Sequence, residues 1–82
     1  MTASSQDQLL SQVRKAGRYR VLPYEPTRAS EFRLMDMGVC PGIYLEWVRS
    51  ALLGDPVVIQ VEGVALSVRR QDFGTIRVVS VS

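Results

Sequence analysis

Apolar and polar residues change their spacing several times along this chain, and those changes divide it into elements. Leu9, Leu10, Val13 and Ala16 recur at helical spacing and Gly17 follows as a stop, so a short N-terminal helix or turn is expected there. The eight residues Met1–Gln8 carry no such pattern and are expected to fray. Tyr19-Arg20-Val21-Leu22-Pro23-Tyr24 then alternates as a first strand, with Tyr19 and Val21 on one face. Pro23 has no amide hydrogen to give to a ladder, so the strand should bend or end near it.

The next stretch returns to helical character. Ser30 is expected as the N-cap and Glu31 falls in the first turn, where the helix dipole favours an acid. Phe32–Met37 carries the helix, Gly38 ends it, and Val39 supplies the apolar contact usual at such a stop. About two turns cannot stand alone, so Leu34, Met37 and Val39 are expected in a shared core. Cys40-Pro41-Gly42-Ile43 then reads as a type II turn.

Beyond this turn the period becomes two. Leu45 and Trp47 alternate with Tyr44 and Glu46, and Leu53-Gly54-Asp55-Pro56 interrupts the run. Val57, Ile59 and Val61 alternate with Val58, Gln60 and Glu62; after Gly63, Val64, Leu66 and Val68 alternate with Ala65, Ser67 and Arg69. Gln71-Asp72-Phe73-Gly74 is a short helical turn or loop, and Ile76 and Val78 open a last strand towards Val81. The rhythm predicts about five short strands with one helix near the first, a mainly β fold closing into a small barrel. Closure would remove the strand edges that invite aggregation. The expected division is an N-terminal extension over residues 1–17 and a barrel domain over 18–82.

The 82 residues make one domain, and 46% apolar content is enough for a core. A domain of this size buries only about 60–65% of its unfolded surface, and the lone Cys40 provides no disulfide to compensate. Ten basic residues, nine of them arginine, stand against eight acids, a net charge of +2. The cations are scattered apart from Arg14–Lys15 and Arg69–Arg70, so no concentrated basic face is announced. No apolar run reaches the roughly 18–20 residues of a membrane span, and the N-terminus lacks the features of a signal peptide. A cytoplasmic location is expected.

Candidate chemistry is sparse. With no histidine, the chain lacks the commonest general base and transition-metal ligand. One cysteine builds no thiolate cluster and has no neighbouring group to activate it, so Cys40 reads as a small packed residue. The acids are widely spaced and mostly at outward or turn positions, which predicts solvated side chains and no metal site. Isolated glycines and the missing phosphate-loop motif give no sign of nucleotide binding. No catalytic residue and no cofactor are expected. Trp47 shares a face with Leu45 and reads as core. Leu52 and Leu53 precede the Gly-Asp-Pro turn in an exposed connection, where they either meet a partner or fold back over the barrel.

Four motifs occur in order. Arg33-Leu34-x-x-Met37-Gly38-Val39-x-Pro41-Gly42 comes first, and Leu53-Gly54-Asp55-Pro56-Val57 follows. Gly63-Val64-x-Leu66-x-Val68-Arg69 is third, with Gln71-Asp72-Phe73 and Ile76-x-Val78 at the end. Together they resemble the FeoA family over more than half the chain. Ser50-Ala51-Leu52 departs from the Ala-Pro that often precedes Leu-Gly-Asp-Pro in that family, Val68 replaces a leucine, and the segment to Gly17 has no firm counterpart. The resemblance implies an SH3-like barrel and a non-catalytic, cytoplasmic accessory of ferrous iron uptake. It implies as partner FeoB, a membrane transporter of Fe(II) with a cytoplasmic GTPase domain, whose GTPase or transport activity the accessory would modulate. Docking is expected near the helix and the following loop, through Arg33, Met35, Leu52 and Leu53. Membrane insertion is not expected, and a weak homo-oligomer is compatible with the reading.

Two other readings compete. Similar SH3-like modules close iron-dependent repressors of the DtxR type, so the chain would be a detached regulatory module. An RNA-binding barrel would use Arg69, Arg70 and Arg77 along one edge and stack bases on Tyr19, Tyr24 or Tyr44.

Overall fold

In the computed structural model, which describes residues 7–81, the chain folds into one antiparallel sheet of six strands, one helix and three 3-10 turns. The strands are β1 (Asp7–Leu9), β2 (Gly17–Val21), β3 (Tyr44–Ser50), β4 (Val57–Val61), β5 (Val64–Val68) and β6 (Arg77–Val81). Their order across the sheet is β1-β6-β2-β3-β4-β5, so β1 and β5 are its edges and hydrogen bonds do not close it. The mainly β expectation holds, with six strands in place of about five.

The additional strand lies in the N-terminal segment. Asp7, Gln8 and Leu9 pair with Val79, Val78 and Arg77. A 3-10 turn, Leu10–Gln12, follows and not an α-helix. The spacing of Leu10 and Val13 still has a physical origin, since the turn drops both fully into the core. Fraying expected for Asp7 and Gln8 is thus replaced by pairing; the same expectation for residues 1–6 lies outside the described residues. β2 starts at Gly17 and ends at Val21, two residues before Pro23.

The helix, α1 (Ala29–Asp36), begins earlier than the sequence pattern implies. Arg28, at φ −122° and ψ 152°, is the N-cap, and Ser30 lies inside the first turn. Its end follows expectation. Gly38 sits at φ 107°, its N–H donates to the Met35 carbonyl at 3.1 Å, and the Val39 N–H donates to the Leu34 carbonyl at 2.9 Å. This paired arrangement satisfies the last carbonyls and delivers Val39 to the core beside Leu34. Met37, expected in that core, is 48% exposed: it is the C-cap of α1 and stands on the rim of a cleft shared with Ser67 and Val68.

The two-residue period is realised where it was expected. Leu45 and Trp47 of β3, and Val57, Ile59 and Val61 of β4, all point inward. The alternation fails at Arg49, which is exposed where the period would turn it inward, because the β3–β4 register shifts between Trp47 and Arg49 and leaves Val48 as the extra residue of a bulge. Glu62 and Gly63, at φ 51° and 83°, form the two-residue turn joining β4 to β5, which is a type I′ geometry.

Candidate docking site

The connection from β3 to β4 carries the most exposed apolar side chains of the described residues. Leu52 and Leu53 are 90% and 97% exposed, so neither folds back over the sheet. They belong to a 3-10 turn, Leu52–Gly54. Within it Leu53 stands at φ 76° and ψ 5°, a left-handed conformation that a leucine adopts only under constraint.

The constraint comes from hydrogen bonds around the turn. Gly54 N–H donates to the Ala51 carbonyl at 2.8 Å, and Ala51 N–H donates to the Pro56 carbonyl at 2.9 Å. Arg70, on the 3-10 turn Arg70–Phe73, reaches the same place from the opposite end of the chain. Its Nε donates to the Gly54 carbonyl at 2.6 Å, and its Nη1 donates to the carbonyls of Ser11 and Val13, both at 2.8 Å. Its backbone N–H donates to Asp55 Oδ1 at 2.9 Å. The guanidinium also lies over the Trp47 ring, 5.9 Å from its centroid. One arginine therefore joins the N-terminal turn, the leucine turn and the core tryptophan. The two leucines project from a fixed support.

A second feature lies between α1 and β5. Ser30, Arg33, Leu34, Met37, Ser67, Val68 and Asp72 line an open cleft of about 190 Å³. Arg33 thus sits at this cleft. Met35 is half-buried on another face of the helix, and its carbonyl accepts a long contact from Cys40 Sγ at 3.5 Å. The four residues expected to dock a partner are therefore divided: Leu52 and Leu53 on one turn, Arg33 at the cleft, Met35 at neither.

Two other residues missed by sequence reasoning hold the framework. Glu31, expected in solvent like the other acids, is fully buried. Its carboxylate accepts from the backbone N–H of Thr27 at 2.9 Å and of Thr75 at 2.8 Å. These amides, Thr27 first, hold its carboxyl below the usual glutamate range against the opposing effect of burial. Its place three residues after the N-cap was a signal, since an acid there commonly reaches back to free amides. Arg70 gave no local signal. The tyrosines and arginines of the RNA reading are mostly engaged internally. Tyr19 and Tyr24 donate their hydroxyls to the Lys15 and Val39 carbonyls at 2.7 and 2.6 Å, and Arg77 pairs with Asp7 at 2.7 Å. Tyr44 is exposed, but Arg18 already lies over its ring, 4.5 Å from the centroid.

The fold defines a small, mainly β module of the SH3-like class. The model of the FeoA domain matches residues 8–80, and the chain belongs to the FeoA family. Membership implies a role in ferrous iron transport. The match begins at residue 8, inside the segment expected to lack a family counterpart. The FeoA protein of Chlorobium tepidum superposes with a TM-score of 0.78 at 32% identity, over 92% of this chain and 71% of that one. A FeoA-like protein of Clostridium acetobutylicum gives 0.82 at 26% identity, over 100% of this chain and 92% of that one. The manganese regulator SloR gives 0.75 at 15% identity, over 89% of this chain and 34% of that one, a likeness of fold alone.

Proposed function

We propose that this protein is a non-catalytic cytoplasmic accessory that docks on the cytoplasmic part of FeoB through the Leu52–Leu53 turn. The observation that carries the proposal is the pair of leucines, 90% and 97% exposed, on a turn whose backbone Arg70 and Asp55 hold in place. Folding alone gives no reason for this display. Covering a leucine contributes about 1.5–3 kcal/mol, which is available here only to a partner. A turn already ordered before binding also avoids much of the entropy that a flexible loop would lose on docking. Among the described residues no helix is long and apolar enough to cross a membrane.

The test is capture of the FeoB cytoplasmic domain by this protein, in GDP and in a GTP analogue. Leu52→Ala and Leu53→Ala together should weaken capture while the circular dichroism spectrum stays that of the folded protein. Undiminished capture by the double variant would exclude this turn as the contact.

A further inference from the structure

We propose that Arg14 is the second half of the docking contact: the partner surface that receives Leu52 and Leu53 is an apolar pocket with a carboxylate at its rim, and Arg14 pairs with that carboxylate. The inference rests on the docking of the leucine turn to FeoB.

Arg14 is far from the turn in sequence but beside it in space. Its Nη1 lies 3.6 Å from where a Cβ on Gly54 would stand, next to Leu53. The side chain is exposed, and it has no ion-pair partner among the described residues, whose one salt bridge joins Arg77 to Asp7. Arg70 fixes the two segments against each other. Its Nη1 donates to the carbonyl of Val13, immediately before Arg14, and its Nε donates to that of Gly54, immediately after Leu53. One internal tie therefore displays a cation and two leucines together.

Charge decides what the partner offers. Three charged groups have contacts at the turn: the guanidiniums of Arg14 and Arg70 and the carboxylate of Asp55. Asp55 Oδ1 accepts from the backbone N–H of Arg70, and the Arg70 guanidinium donates to three carbonyls, so both are engaged inside the protein. Arg14 is the exposed member of the three, and the excess is one positive charge. A purely apolar pocket closing over the leucines would strip water from Arg14 and put nothing in its place, which costs affinity. A carboxylate answers the guanidinium with two parallel N–H···O bonds that match its fork. The leucines then supply buried area, and Arg14 supplies orientation and discrimination between partners. An anionic lipid surface fits less well, because holding a protein to a charged leaflet takes a cluster of cations.

Capture of the FeoB cytoplasmic domain by the full chain, titrated at low and at high salt, tests the contact. Arg14→Glu, at an exposed position, should keep the circular dichroism spectrum and thermal midpoint of the wild type and weaken capture about tenfold or more. Arg14→Lys should fall between the two. Salt should weaken the wild type more than Arg14→Gln. Arg20→Glu changes the net charge equally, but it lies opposite Tyr44, at the other end of β3 from the leucine turn, and should have a much smaller effect. Capture lowered by Leu52→Ala with Leu53→Ala but unchanged by Arg14→Glu overturns this inference and leaves the docking turn standing. Equal losses with Arg14→Glu and Arg20→Glu overturn it as well, since they show only unspecific attraction. Capture indifferent to the leucines overturns both. Binding to vesicles of phosphatidylglycerol and phosphatidylcholine that is lost in Arg14→Glu and in the leucine variant would assign the surface to lipid and overturn the carboxylate.

Discussion

The carboxylate of Glu31, in the first turn of α1, accepts a hydrogen bond of 2.8 Å from the backbone N–H of Thr75, 44 residues further on. The loop before α1 and the turn before β6 thereby share one buried anion, which Thr27 also donates to. Backbone amides satisfy it in place of a cation, as they do where an acid caps a helix. Gly74 is part of the arrangement. It lies at φ 58°, and a Cβ there would overlap the Glu31 carboxylate.

Gly74→Ala and Glu31→Ala should therefore each destabilise the protein, by about 2–4 kcal/mol. The first drives a methyl into the carboxylate; the second strands two buried amides. Combined, they should cost less than their sum, because the methyl then enters space the carboxylate has left. Urea unfolding of the four proteins measures the coupling. Strictly additive losses would mean that the positive φ at Gly74 alone resists the methyl.

Stability should fall with acidification in a way that depends on Glu31. Its folded carboxyl is held below the ordinary value, so protons bind more readily to the unfolded chain. The contribution is fully present above the unfolded glutamate pKa of about 4.3 and is lost as pH falls from there through the depressed folded value. A series of urea midpoints from neutral pH to about pH 2.5 should show a steeper acid decline for the wild type than for Glu31→Gln. Parallel curves would assign the decline to other acids.

Arg70→Lys should loosen the leucine turn although it preserves the charge. The guanidinium serves the carbonyls of Gly54, Ser11 and Val13 through two differently directed nitrogens. An ammonium cannot reproduce that fork, and the cost should be about 2–3 kcal/mol. Hydrogen exchange supplies the specific readout. The Gly54 amide, bound to Ala51, should exchange faster, whereas the Val39 amide at the end of α1 should follow only the global change.

These long-range ties explain which parts of the fold were legible in the sequence. Leu45, Trp47, Val57, Ile59 and Val61 advertise their strands because each core position follows two residues after the last. Gly38 announces the helix end because that stop is local. Asp7–Leu9 is too short to show a period, and its partner β6 lies at the other end of the chain. Helical spacing from Leu9 to Ala16 was produced by a single 3-10 turn burying Leu10 and Val13. Leu52 and Leu53 were recognisable as a surface feature from their neighbouring turn residues. Their support was not, because Arg70 lies 16 residues from Gly54 and 59 from Ser11. Glu31 was misplaced for the same reason: one of its donors is local, but the other and the glycine that admits it lie far along the chain.

Leu53 offers a way to separate stability from docking. It occupies φ 76° with its side chain 97% exposed, so in the isolated protein it bears left-handed strain with almost no burial in return. The left-handed region costs a non-glycine residue about 1–2 kcal/mol, while glycine loses about 0.5–1 kcal/mol more backbone entropy on folding. Leu53→Gly should therefore raise stability slightly, by about 0.5–1 kcal/mol, a small upward shift in thermal midpoint. The same variant should capture less of the FeoB cytoplasmic domain, because the projecting side chain is gone while Gly54 and Asp55 remain held. A more stable protein that binds less well would show that Leu53 is kept for its partner at the expense of the fold. A less stable protein that captures FeoB unchanged would assign the leucine to folding and remove it from the docking surface.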